Sequence, residues 1–406
     1  MSRLVKRVVL SLSVLVFAYV AMGFMLGRTN DDKTYRTLTV FSEVLEHIQH
    51  DYVEDPDLHQ VTMGALHGLL DSLDAESAYL SPLEYADYKK KTEAKPKGEI
   101  GAALSKRFGY IAVISVLPDS PALKAGLREG DILESIAGFV TNQMAVGQAQ
   151  ILLGGEPGAT VKVSVVRRGH TEPLEMEIPF AKLPAPRLLE DRIQGDIAYL
   201  RVPSLEAGMS KQIREKLVQY ERQGAHKLVL DLRDCAIGPA EEGIATAQLF
   251  LPSGTIATLR GQTVTAQTFS ADVTKVVWKL PVSVLISNGT AGPAELLAAA
   301  IAGNHRGETV GEERTFGTAS EQKVIALEDG SALILTVANY YTPDNKSIAA
   351  EGVIPTAEVH AEDNTTVTDQ EEPGAPPPGR VASPDDPVLK KAIEILQGSA
   401  ATKKAA

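Results

Sequence analysis

The chain has 406 residues, a formal net charge of −12 and 44% apolar but only 5% aromatic residues. That is the composition of an ordinary globular protein of roughly two or three domains with tails. The acidic balance argues against nucleic-acid binding, which needs an excess of Lys and Arg to meet phosphates. Cys235 is the single cysteine, so an intrachain disulfide is excluded.

At the N-terminus Arg3, Lys6 and Arg7 precede an apolar run from Val8 to Leu26. Its 19 residues, at ~1.5 Å rise each, nearly match a bilayer core of ~30 Å. Residues 1–28 therefore read as a single-pass signal anchor. The basic flank places the N-terminus in the cytosol and the rest outside it. A cleaved signal peptide is the second reading, with Ala21-Met22-Gly23 as the cleavage candidate and a secreted or periplasmic product.

Residues 29–95 read as helical. Phe41, Val44, Leu45 and Ile48 recur at i, i+3, i+4 and i+7. VTMGALHGLLDSLD predicts a second helix. SPLEYADYKKKTE predicts a third, capped by Ser81 with Pro82 at its first position. His47 and His50 fall in the first of these helices, but no carboxylate or cysteine cluster completes a metal site, and no cofactor is expected.

From 96 to 182 short strands (YIAVISVL, ILESIAG, VKVSVVRRG) alternate with turns. Ile100-Gly101-Ala102-Ala103-Leu104, Ser120-Pro121-Ala122, Ala125-Gly126-Leu127, Gly130-Asp131 and Gly154-Gly155 with Pro157-Gly158 mark this segment. Together they resemble a PDZ domain of the bacterial protease type. The resemblance implies capture of polypeptide C-termini, with Ile100 to Leu104 as the peptide-binding stretch. An extended peptide adds to a sheet edge, and a glycine turn offers N–H groups to its carboxylate. A PDZ fold used only for internal packing or gating is the competing reading.

Residues 183–360 alternate strands (GDIAYLRV, KLVLDLR, VSVLI, EQKVIAL, ALILTVANYY) with helices at 210–223, 243–250 and after Pro293. This predicts an α/β core, a mixed sheet with crossover helices. Residues 361–406 read as a disordered tail rich in Pro, Gly and acid, with a possible short helix in DPVLKKAIEILQG.

SLDAESAYLSPLEY, KLVLDLRDCAIG, ISNGTAGPAEL, VGEERTFGTASEQ and YYTPDNKSIAAEGVIP resemble, in order, the signature stretches of the carboxyl-terminal processing (tail-specific) proteases. Members are serine peptidases with a Ser–Lys dyad, often with a Gln, and a PDZ domain that recruits substrate C-termini. The resemblance places the nucleophile position on Gly292, the general-base position on Thr318 and the Gln on Gln322. Its oxyanion donors fall on Pro293, which has no N–H, and on the loop holding Ile237 and Gly238. A pseudoprotease is therefore expected, an adaptor or regulator at the cell envelope. Its implied partners are polypeptide C-termini or unfolded chains, an active family protease, and the membrane through the N-terminal helix.

Two further readings stay open. An active endopeptidase with a rearranged site would use the hydroxyl of Thr290 or Ser320. A structural scaffold would bind no peptide. Thr318, Ser320 and Gln322 are expected to line one polar wall, and Gly292, Pro293 and Glu295 to form the N-cap, first and third positions of a helix. Cys235 reads as an inert small residue. Asp231, Arg233 and Asp234 read as an internal ion pair at a strand end.

Overall fold

The computed structural model describes residues 31–94, 97–142, 144–349, 351–360, 382–383 and 385–404. The expected anchor at 1–28 lies outside the described residues. Among the described residues no helix is long and apolar enough to cross a membrane. The chain divides after Leu66 into two units.

In the first unit, helix α1 (Asp31–Asp51) carries the periodic face read from the sequence. Phe41 and Val44 are exposed on it, and Leu45 and Ile48 half-buried. His47 Nδ1 pairs with Asp51 at 2.6 Å, the solvated arrangement expected of a helix face. Helix α2 (Leu58–Asp71) follows.

The second unit opens with strand β1 (Ala78–Leu80) and helix α3 (Pro82–Ala94). Ser81 caps α3 reciprocally. Its Oγ accepts from the Glu84 N–H at 3.3 Å, and Glu84 accepts from the Ser81 N–H at 2.7 Å. This capping box satisfies donors that a helix start leaves orphaned.

The next segment holds β2 (Gly98–Glu99), β3 (Ala102–Arg107), β4 (Tyr110–Val116), α4 (Pro121–Lys124), β5 (Ile132–Ile136), β6 (Phe139–Val140), α5 (Val146–Leu152), β7 (Gly154–Gly155), β8 (Thr160–Val166) and β9 (Leu174–Pro179). The main sheet runs β3-β4-β5-β8-β9, closing around Ile111, Val113, Leu127, Leu133, Val163 and Ile178. Strand β3 is its edge, as a peptide-accepting PDZ sheet requires.

The core follows with β10 (Leu189–Ile193), β11 (Ile197–Arg201), α6 (Met209–Arg222), β12 (Lys227–Asp231), α7 (Ala240–Gln248), β13 (Thr255–Arg260), β14 (Gln267–Ser270), β15 (Val282–Leu285), α8 (Pro293–Gly303), β16 (Glu308–Gly311), β17 (Ser320–Ala326), β18 (Ala332–Tyr341), β19 (Ala357–Glu358) and α9 (Pro387–Lys404). Among the described residues one sheet runs β10-β11-β12-β15-β16-β19, parallel except for β10 against β11. A second gathers β1, β18, β13 and β14, with β17 also on β18.

Alternation along the parallel strands decides the layers. Ala198, Leu200, Leu228, Leu230, Val282 and Val284 face the core shared with α6, α7 and α8. Ile197, Tyr199, Val229, Leu285 and Val310 face the opposite way, onto Val388, Leu389, Ala392 and Leu396 of α9. Of the tail expected over 361–406, residues 361–381 lie outside the described residues, and the short helix expected in DPVLKKAIEILQG is present. Residues 387–404 form a full helix that covers one face of the sheet, because its apolar stripe meets a sheet face that would otherwise be wet.

A buried charge network anchors α9. Arg233 binds Asp231 at 2.7 Å and Asp386 at 2.7 Å, all three buried. The Tyr199 hydroxyl also donates to Asp231 at 2.6 Å. Burial pushes the Asp231 carboxyl up, but the Arg233 and Arg201 guanidinium groups outweigh it and hold it at about 2. The ion pair expected at this strand end is therefore present, with Asp386 added from the far end of the chain. Asp386→Ala leaves Arg233 half-paired in the interior and should cost about 3–5 kcal/mol in denaturant unfolding.

A second group of charges joins the PDZ segment to the core. A Cβ at Gly289 would lie 2.8 Å from Asp234 Oδ1 and 3.0 Å from Glu129 Oε2, so the two carboxyls converge there. Burial, then Asp234 and Glu313, raise the Glu129 carboxyl well above its ordinary 4.5, against a lowering by Arg107. The folded state thus holds this proton more tightly than the unfolded chain. Its stabilisation is complete below the unfolded value and is lost as pH rises through the folded one. Urea unfolding from pH ~5 to ~8 should show stability falling with pH, and Glu129→Gln should flatten that decline.

Candidate active-site cavity

A cavity of about 680 Å³ is lined jointly by the PDZ segment and the core. Ile100 to Leu104 and the α5 residues Val146, Gly147, Gln150 and Ile151 form one wall. Ala236, Ile237, Gly238, Gly292, Pro293, Thr318, Ser320 and Gln322 form the other. The family catalytic and oxyanion positions and the expected peptide-binding stretch, far apart in sequence, thus share one space. Glu76, Tyr88 and Lys91 also line it, and the sequence reading missed them. Lys91 pairs with Asp87 at 2.7 Å.

The PDZ wall is built on an edge. Gly101 (φ +81°) turns the chain into β3, and a Cβ there would meet Ser120 Cβ at 2.5 Å. Only glycine combines that φ with that close approach. Farther along β3, Ser105 Oγ donates to Glu76 at 2.6 Å and Lys106 pairs with Asp71 at 2.6 Å. The edge is covered there and reaches the cavity at its Ile100–Leu104 end.

The core wall is organised by Glu295, the third residue of α8 and fully buried. Its Oε2 accepts from the Gly292 N–H at 2.9 Å and the Thr318 N–H at 2.9 Å. Its Oε1 accepts from Thr315 Oγ1 at 2.5 Å and the Gly317 N–H at 2.6 Å. Burial raises this carboxyl's pKa, and the four hydrogen bonds oppose the rise without cancelling it. One side chain therefore ties Gly292 to Thr318, with both N–H groups 2.9 Å from the same oxygen. The sequence had placed Glu295 only as a helix-start residue; its grip on 315–318 needed the fold.

Gly292 adopts φ +54°, ψ −114°, a conformation that costs a side-chain-bearing residue about 1–3 kcal/mol. A Cβ there would have Ala236 O at 3.9 Å as its nearest neighbour. Room for a side chain is kept, and only the backbone resists one. Pro293 occupies the first helical position, where its missing N–H is tolerated. A Cβ on Gly243 of α7 would overlap the Pro293 carbonyl, so α7 and α8 pack backbone to backbone behind the site.

In the loop of Ile237 and Gly238, Gly238 takes φ +137° and its Cα lies against the Leu205 carbonyl. Ile237 is not among the residues of positive φ. The Ile237 carbonyl accepts from the Leu205 N–H at 2.7 Å. The loop is thus built around one glycine, and the isoleucine beside it is accommodated without left-handed backbone.

The polar wall forms as expected. Ser320 Oγ donates to the Thr318 carbonyl at 3.3 Å, and Gln322 Nε2 donates to Ser320 Oγ at 2.8 Å. Thr290, by contrast, is buried. Its hydroxyl donates to the Leu232 carbonyl at 2.8 Å and accepts from the Ser287 N–H at 3.0 Å. It is a turn hydroxyl. Cys235 is buried, and burial followed by Asp234 and Asp231 pushes its thiol up, as an inert residue requires.

Comparison with known proteins agrees with this layout. The PDZ domain profile matches residues 98–178 and that of peptidase family S41 matches residues 196–359. A carboxy-terminal-processing protease of Bartonella bacilliformis is 30% identical over 360 residues, covering 86% of this chain and 80% of that protein. The chain belongs to the carboxyl-terminal processing proteases of family S41. A carboxyl-terminal-processing protease of Synechocystis sp. is 28% identical over 361 residues, 87% of this chain and 81% of that one. The photosystem II D1 C-terminal processing protease shares the fold, with a TM-score of 0.64 at 24% identity over 79% of this chain and 92% of that one.

Two outcomes follow from this geometry. Glu295→Ala leaves the half-buried N–H groups of Gly317 and Thr318 without their acceptor and should cost about 1–3 kcal/mol, with faster amide exchange at 315–318. Gly292→Ser should lower unfolding stability by about 1–3 kcal/mol through its backbone alone.

Proposed function

We propose that this family member captures polypeptide C-termini without cleaving them, as a pseudoprotease acting as adaptor or regulator. The observation that carries the reading is the cavity itself. The PDZ edge opens into the site, while the nucleophile position is Gly292, the base position is Thr318 and Pro293 follows without an N–H. Loss of a catalytic serine costs on the order of 10⁶ in turnover, and loss of one oxyanion donor about 10²–10³.

A rearranged active site is the second reading, and Ser320 is the hydroxyl that favours it, because it faces the cavity beside Gln322. Thr290 supports it poorly, since its hydroxyl is committed to the turn. An extracytoplasmic, membrane-anchored location and an active relative as partner belong to the same proposal. They rest on the basic-then-apolar N-terminus and on the family's nature.

The test compares turnover and binding. The purified full chain should bind an immobilised C-terminal peptide and leave an unfolded protein uncut. Cleavage that is abolished by Ser320→Ala would overturn the reading. Gly292→Ser with Thr318→Lys should restore well under full activity, because Pro293 still supplies no donor. Full activity from that double variant would refute the oxyanion reasoning.

A further inference from the structure

A second cavity, about 380 Å³, lies at the end of the β13–β18 ladder. Arg260, Gly261, Gln262, Thr336, Asn339 and Tyr341 line it. Arg260 Nε and Asn339 Oδ1 are both buried there without a hydrogen-bond partner. The Arg260 guanidinium stacks on the Tyr341 ring at 3.7 Å, which fixes its plane. Leaving a buried donor or acceptor unpaired is costly, so an unpaired donor and acceptor in one cavity point to a missing partner.

Register places this cavity beside the first. Arg260 pairs with Asn339, and Asn339 pairs with Ser320 on its other side. Directly opposed residues of antiparallel strands project to the same face. Arg260, Asn339 and Ser320 therefore form one row across three strands, and Ser320 is already part of the PDZ-linked cavity. The β17–β18 pairing slips between Glu321 and Gln322, leaving Val337 without a partner there. The Cα of Gly261 packs on the Val337 carbonyl. Strand irregularities of this kind re-aim side chains at a ladder's end.

We propose that this second cavity is a distal subsite for an extended polypeptide, binding one peptide unit upstream of the captured tail. A peptide group offers a carbonyl to Arg260 Nε–H and an N–H to Asn339 Oδ1, matching both orphaned atoms. A simple anion satisfies the guanidinium but faces the Asn339 carbonyl oxygen, and an apolar group satisfies neither. The proposal rests on the peptide-capture reading and extends it along the sheet.

The test uses the full chain in detergent and two labelled peptides with the same Ala-Ala-Val terminus. One has about 6 residues and the other about 16, reaching roughly 20 and 50 Å as strands. The longer peptide should bind about 10-fold more tightly. Arg260→Lys, which keeps the charge and loses Nε–H, should reduce it to the short peptide's affinity. Asn339→Leu should do the same while raising the thermal midpoint, since it removes an unpaired buried oxygen. Short-peptide affinity should not change in either variant. Equal affinity of the two peptides for the unmodified chain, or a length advantage that survives both variants, overturns the subsite alone and assigns the cavity to water. A fall in both the midpoint and long-peptide affinity with Asn339→Leu makes the residue structural and also overturns it. Failure of both peptides to bind the unmodified chain overturns the subsite together with peptide capture.

Discussion

The Glu295 carboxyl ties the start of α8 to the strand approach at 315–318, and the site is arranged around that tie. It lies where a helix N-terminus presents N–H groups and favours negative charge. Burial removes competing water, so each of its hydrogen bonds to Gly292, Thr315, Gly317 and Thr318 holds a segment in place. Thr315 passes the constraint on, because its Oγ1 also accepts from the Val353 N–H at 2.7 Å. None of these contacts involves a nucleophile or a base. The frame thus rests on three backbone N–H groups and one hydroxyl, and it ties Gly292 to Thr318.

The start of α8 is also favourable in its own right. The backbone at 292 has a geometry natural to glycine and strained for serine. Proline at the next position suits a helix start, although it withdraws a donor. The PDZ edge, Gly292 and the polar wall of Ser320 and Gln322 share one cavity.

The rest of the core is held by contacts of long reach. Arg233 at the end of β12 meets Asp386 across 153 residues of sequence. That pair seats α9 on a sheet face that the PDZ segment and the crossover helices leave open. The same strand end carries Asp234, which pairs with Arg201 at 2.6 Å and approaches Glu129 of the PDZ segment. One short loop thus connects the sheet, the C-terminal helix, the PDZ segment and the cavity wall at Ile237 and Gly238.

The sequence by itself determined the local pieces. Two-residue alternation marked the strands, Ser81 and Gly292 with Pro293 marked helix starts, and the positions of glycine marked the PDZ turns. Ordered motifs were enough to locate Gly292, Thr318 and Gln322, and the structure places all three on one cavity. Tertiary structure alone decided what those pieces hold. The grip of Glu295 on 315–318 and the partner of Arg233 arise from burial, which pairs whichever charges the fold brings together and leaves no periodic trace. The orphaned Arg260 and Asn339 are of the same kind, since a missing partner is visible only once the chain has closed around it. Terminal helix α9 lay between the two cases. Its apolar stripe was legible at Val388, Leu389, Ala392 and Leu396, but only the bare face of the sheet made that stripe part of the core.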